Sequence, residues 1–183
     1  MLPAEGQTDS TGKKNMFILK TDVLLSTLAL TANNSTLIGL TSEYGFRKRN
    51  SLQLTVLHDN FKRATNPIQH FTTNFIMLEY KFFFSQKRSF TGFYSGPNGQ
   101  YIFEHEKYSN VGGYVESKDM RIGGGLIIGY QNYIRKRLTV DFFFGMTWGY
   151  LVQKTIVKEV GITKGFSQTV QYGRAAINIG YRF

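Results

Sequence analysis

The chain predicts an all-β fold: an eight-stranded antiparallel transmembrane β-barrel of up-and-down topology. Three observations predict it. From residue 16 onward apolar and polar residues alternate with a period of two, segment after segment, the spacing of strands with unlike faces. The composition is 16 Phe, 11 Tyr and 19 Gly against 3 Pro, which suits pleated sheets and tight bends rather than helices. The connections also alternate in kind, short basic turns against longer loops of mixed charge, as in membrane barrels. At 183 residues the chain makes one domain, long enough to close a single barrel.

In chain order, residues 1–15 ("MLPAEGQTDSTGKKN") are polar and without period, and are expected to form a flexible periplasmic N-terminal tail before a barrel over 16–183. The first strand is expected at 16–31. Its "FILKTDVLLSTLALTA" is the best candidate for a secretory hydrophobic region, but Lys20 and Asp22 interrupt it and it alternates, so it reads as a strand. The signal peptide of an exported precursor is therefore expected to be missing from this chain. A short "ANN" link near 32–34 leads to strands at 35–46, 51–61, 71–84, 89–104, 120–134, 138–153 and 170–183. The turns 47–50, 85–88 and 135–137 carry Arg47, Lys48, Arg49, Lys87, Arg88, Arg135, Lys136 and Arg137 with no acid among them. The connections 62–70, 105–119 and 154–169 are longer and are expected on the opposite, external side.

Strand seven gives the polarity. Leu138, Val140, Phe142, Phe144, Met146, Trp148, Tyr150 and Val152 share one face, and Thr139, Asp141, Phe143, Gly145, Thr147, Gly149 and Leu151 the other. The apolar face is about 25 Å tall, the height of a lipid-facing band. Strand six repeats it, with Ile122, Gly124, Leu126, Ile128, Tyr130 and Ile134 against Arg121, Gly125, Gly129 and Gln131. Pairing Ile134 with Leu138 puts Trp148 opposite Gly124, an aromatic ring covering bare backbone. The opposite face of all strands collects five bases, Lys20, Lys81, Arg121, Arg174 and Arg182, and five acids, Asp22, Glu43, Asp59, Glu79 and Asp141. A dry interior must pair its charges or bear a large desolvation cost. The balance therefore predicts an ion-paired lumen.

Little else in the chain suggests chemistry. There is no cysteine, which excludes disulfides and thiolate metal sites, and no run of about 18 apolar residues for a transmembrane helix. Neighbours in a strand point to opposite faces, so His58 and Asp59 cannot act as a base and its orienter. His58 with His70 would need a serine in a nucleophile elbow, and none exists. Glu104, His105 and Glu106 form a candidate divalent-cation cluster at the 105–119 connection, weighed against a solvated run of charge. "GGGLIIG" lacks the strand-to-helix context and Lys-Ser/Thr of a phosphate loop. The net charge of +10 invites a nucleic-acid reading, but the turn bases form a ring at one end of the barrel, spaced for lipid headgroups, which attract such residues at about 1 kcal/mol each. An acidic periplasmic partner would suit the ring equally well. No catalytic residue, cofactor, metal or nucleic acid is expected.

The stretches "LKTDVLL", "SEYGF", "LEYKFFF", "FTGFYSGP", "GGGLIIGYQ", "RLTVDFFFG" and "INIGYRF", in that order and spacing, resemble the small outer-membrane β-barrels of Bacteroidota grouped as a domain of unknown function, similar in shape to OmpX- and OmpA-type barrels. The resemblance covers most of residues 17–183 and implies an eight-stranded barrel in the bacterial outer membrane with no established activity. It also implies that the last strand, with Ile177, Ile179, Tyr181 and Phe183 on one face, carries the signal read by the barrel-assembly machinery. Four function classes follow. The first is a structural or interaction protein of the envelope, with a plugged lumen and a role in envelope integrity or as accessory subunit of a larger outer-membrane machine. A narrow small-solute pore is the second, disfavoured because eight strands leave room for side chains rather than water. An outer-membrane enzyme is the third. The fourth is a soluble lipocalin-like barrel binding an apolar ligand, although no Gly-x-Trp precedes the first strand and the one Trp is Trp148. The expected partners are outer-membrane lipid, the assembly machinery and other outer-membrane proteins.

Overall fold

The computed structural model describes residues 16–22, 35–47, 49–63, 69–85, 90–110, 113–134, 137–157 and 162–183. Its strands are β1 (Met16–Asp22), β2 (Ser35–Arg47), β3 (Asn50–Arg63), β4 (Gln69–Phe83), β5 (Gly92–Asn110), β6 (Gly113–Tyr133), β7 (Leu138–Val157) and β8 (Ile162–Arg182). Each pairs antiparallel with the next, and β8 returns to β1 with Ile18 opposite Arg182 and Asp22 opposite Asn178. The result is a closed, up-and-down, eight-stranded barrel, the all-β fold that the alternation predicts. The expected tail at 1–15, the expected strand continuation at 23–31 and the link at 32–34 lie outside the described residues.

The four largest departures in strand limits, at the far ends of β5 to β8, share a cause. The expected loop at 105–119 is largely ladder: β5 runs on to Asn110, β6 starts at Gly113, and Ser109 pairs with Tyr114. The expected loop at 154–169 is likewise taken up by β7 to Val157 and β8 from Ile162. Hydrophobic alternation marks a strand only where one face is dry. Beyond that limit both faces are polar and the sequence period fades, while the backbone ladder continues. The β8 residues 165–169 are exposed on both faces. The expected length contrast between the two sets of connections is therefore not observed: 64–68, 111–112 and 158–161 join the strands at one end, and 48–49, 84–91 and 134–137 at the other. At the other end β5 begins at Gly92 rather than 89, because Phe90 and Gly92 adopt positive φ, 59° and 99°, and break the extended backbone. Arg47 belongs to β2 rather than to the turn.

Strand faces follow the predicted parity. Leu138, Phe142, Phe144, Trp148, Tyr150 and Val152 of β7 are exposed, and Thr139, Asp141, Phe143, Gly145, Thr147 and Leu151 are buried. Ile122, Leu126, Ile128, Tyr130 and Ile134 continue the exposed apolar face on β6. Gly124 does pair with Trp148, and the Ile134 amide donates to the Leu138 carbonyl at 3.0 Å. The interior is layered along the strands. Met16, Ile18, Phe83 and Phe90 fill the turn end, and Met77, Ile127, Phe143 and Ala176 fill a second apolar tier. A tier of charged side chains lies between them, carried on β4 by Glu79 and Lys81, which fall between Met77 and Phe83.

Candidate functional site

The middle tier is the most unusual chemistry in the molecule. Lys20 on β1 donates to Asp141 Oδ2 at 2.7 Å, Gln131 Oε1 at 2.7 Å and Gln53 Oε1 at 3.0 Å, and is ion-paired with Glu43 of β2. Lys81 of β4 reaches Asp141 Oδ2 at 2.5 Å and Glu43 Oε2 at 3.6 Å. The Tyr94 hydroxyl of β5 donates to Asp141 Oδ1 at 2.7 Å, and its ring lies 4.4 Å from the Lys81 ammonium. Ser51 Oγ donates to Glu43 Oε1 at 2.5 Å, and Gln53 Nε2 donates to Glu79. These side chains come from β1 through β7. β8 contributes by omission: a Cβ at Gly180 would stand 2.6 Å from Lys20 Cγ, so only glycine there lets the lysine cross the lumen.

The four charged members, Lys20, Glu43, Lys81 and Asp141, have no exposed side-chain surface. Two ammonium groups and two carboxylates removed from water are tolerable only if geometry and extra hydrogen bonds replace hydration. Gln53, Gln131, Ser51 and Tyr94 supply those bonds. The arrangement can fix strand positions across the lumen.

The other inward charges predicted from sequence are distributed differently. Glu79 joins through Gln53. Arg174 sits in the second apolar tier, 4.7 Å from the Phe143 ring and 5.4 Å from Phe75, donates to Met77 Sδ at 3.0 Å, and lies 3.9 Å from Asp22. Arg121 does not join the network: it pairs with Glu104, with roughly a third of each side chain exposed. Arg182 lies at the turn end over the Tyr133 ring, 5.5 Å from its centre. Charge balance sums over the whole lumen and says nothing of height along it, which is why the sequence grouped what the fold separates. It also missed Gln53, Ser51 and Tyr94, which are uncharged; their inward parity was the available signal.

The remaining candidates are dispersed. His58 shares a 2.8 Å hydrogen bond with Asn74 on the outer wall. The Glu104–His105–Glu106 run is divided by strand alternation: Glu104 goes to Arg121, and His105 lies 2.7 Å from Glu116. Hydrogen bonds from His105 and Lys118 pull the Glu116 carboxyl down to about 2. Among the described residues no group of three or more His, Cys, Asp or Glu is arranged to hold a metal ion. Of the basic turn residues, Lys48, Lys87, Arg88, Arg135 and Lys136 lie outside the described residues. Arg137 is exposed and donates to the Tyr181 hydroxyl at 2.7 Å. Ile179, Tyr181 and Phe183 face outward, with Ile177 half-buried among them, and the Phe183 amide donates to the Phe17 carbonyl at 3.0 Å. An apolar depression of about 870 Å³ is lined by the outward-facing Phe93, Ile128, Tyr130, Phe142 and Phe144 with their neighbours.

No curated protein matches the chain. The family model described as "Protein of unknown function (DUF3575)" matches residues 7–183, and the chain belongs to that family.

Proposed function

We infer that the protein is an integral barrel of a bacterial outer membrane, a non-catalytic structural or interaction protein of the envelope that serves as accessory subunit of a larger outer-membrane complex. The carrying observation is the inverted distribution of polarity: Ile38, Phe93, Ile122, Leu126, Ile128 and Ile134 are each more than 60% exposed, while Lys20, Glu43, Lys81 and Asp141 are fully buried. Water would favour the reverse, and hydrocarbon favours this arrangement. Barrel closure also pairs β8 with β1 from Ile18–Arg182 to Asp22–Asn178, which matters in lipid because each unsatisfied amide there costs several kcal/mol. A lipocalin-like protein needs its apolar space inside, whereas here the apolar depression opens among outward residues. The resemblance to small outer-membrane barrels of Bacteroidota supports the same reading.

In this orientation the turns 47–50, 85–88 and 135–137 face the periplasm and anionic headgroups. The outward face of Ile177, Ile179, Tyr181 and Phe183 is what the barrel-assembly machinery reads. The lumen is plugged and conducts nothing. The test is extraction: membranes from cells expressing the chain with an export signal are washed with alkaline carbonate and then with detergent, and the barrel is followed by heat-modifiable gel mobility. Retention after carbonate and release by detergent are expected. Release by carbonate as a folded, heat-modifiable monomer would overturn the membrane assignment.

A further inference from the structure

The turn end of the lumen is closed by a residue in a backbone conformation that its side chain disfavours. Phe90, between β4 and β5, has φ 59°, an outlier for a bulky residue that persists only where the surroundings over-determine it. Its surroundings do so. The ring is 3% exposed and packs edge-on against Phe83, centroids 6.0 Å apart. Its carbonyl accepts a hydrogen bond from Gln131 Nε2 at 3.2 Å, and the same Gln131 accepts from Lys20 at 2.7 Å. On β2, a Cβ at Gly45 would collide with the Phe90 ring, so the wall is hollowed where the ring enters. Phe93, three residues on, lies on the outer wall and is 68% exposed, so an outward place for an aromatic side chain exists close by.

We propose that Phe90 is the stopper of the lumen: its inward ring keeps water and small ions from the turn end away from the Lys20–Glu43–Lys81–Asp141 cluster, and displacing it opens that route. Strain at Phe90, the notch at Gly45 and the bond to Gln131 then have one explanation. The chain accepts an unfavourable backbone to cap a cluster whose mutual attraction is strongest when dry. Because the stopper bonds the residue that holds Lys20, its position is coupled directly to the cluster.

Ser51 reports on the route. It is fully buried, bonds Glu43, and pairs with Gly45 on one side and Lys81 on the other. The full chain carrying Ser51→Cys is folded in detergent and treated with a small cationic methanethiosulfonate reagent. Labelling is expected to be slow in this background and at least about tenfold faster after Phe90→Ala. It is expected to be faster also after Gly45→Ala, which displaces the ring without removing it. Phe93→Ala, on the outer wall, should leave the rate unchanged. Phe90→Leu, which keeps a smaller apolar plug, should give an intermediate rate and serves if Phe90→Ala does not fold. Equal rates in the Ser51→Cys background with and without the Phe90 and Gly45 substitutions, all heat-modifiable, would overturn the proposal. Detergent-folded protein answers this whether or not the barrel inserts into lipid, so a failure of the membrane assignment is read separately.

Discussion

Two sets of ion pairs occupy one barrel under opposite conditions. The Lys20–Glu43–Lys81–Asp141 cluster has no exposed side-chain surface, whereas Arg121 and Glu104 keep 29% and 31% of theirs. The chemistry is the same and the consequence is not. In the wet pair water screens the attraction and replaces whichever partner is lost. In the dry cluster nothing replaces a lost partner, so each member becomes indispensable once the others are present, even though the cluster as a whole contributes little net stability.

The sharpest way to break that contrast is Asp141→Leu, which strands Lys20 and Lys81 with only Glu43 between them. A loss of roughly 3–5 kcal/mol in unfolding free energy is expected, read from urea transitions of the refolded barrel; a midpoint within error of the parent would mean that these groups are hydrated. Replacing the four, Lys20→Met, Glu43→Leu, Lys81→Met and Asp141→Leu, should cost less than Asp141→Leu alone, because neither ammonium group is left stranded. If the quadruple variant proves weaker than the single one, the cluster is a net stabiliser and the contrast fails. At the wet end, Glu104→Gln should cost at most about 1 kcal/mol in the same assay.

The smallest effect concerns Glu116. Its carboxyl is held at about 2 by His105 and Lys118, below the unfolded value of about 4.3. Such a group stabilises the folded form above the unfolded value, and loses that contribution as pH falls through about 2. Protection factors of the amides at residues 103–107 and 115–119, corrected for the intrinsic pH dependence of exchange, should therefore fall between pH 4 and pH 2 in the parent, and the fall should vanish in Glu116→Gln. An identical acid response in the variant would remove the assignment.

How much was legible follows from these particulars. Parity in "LTVDFFFGMTWGYLV" separates the inner and outer faces of β7 correctly, and counting from Ile134 and Leu138 sets Trp148 on Gly124, because a period of two leaves no freedom of face or register once the turn is known. The far ends of β5 to β8 were not legible, since alternation of polarity stops where both faces meet water. Inward charges were legible as a set but not as groups, because Arg121 and Arg182 differ from Lys20 in height along the barrel, a coordinate that one-dimensional parity lacks. The inward turn of Phe90 was hidden too. Its positive φ is held by Phe83 across the same turn and by Gln131 and Gly45, which are remote in sequence.

The separation of Lys20 from its partners bears on the order in which the molecule forms. Gln131 and Asp141 lie 111 and 121 residues further along the chain, so the first strand carries its lysine through most of assembly with those acceptors not yet beside it. Contacts of such long range form slowly, because chain entropy is lost before any contact rewards it. A growing sheet of β1 to β6 therefore has Lys20 and Lys81 facing Glu43 and Glu79 without Asp141. The arrival of β7 brings Asp141, the second acid after Glu43 that touches both ammonium groups, and only then does β8 meet β1. Completing the hydrogen-bonded cluster around Asp141 and joining the first strand to the last are thus nearly the same event, which disfavours a half-built sheet and favours its final closure.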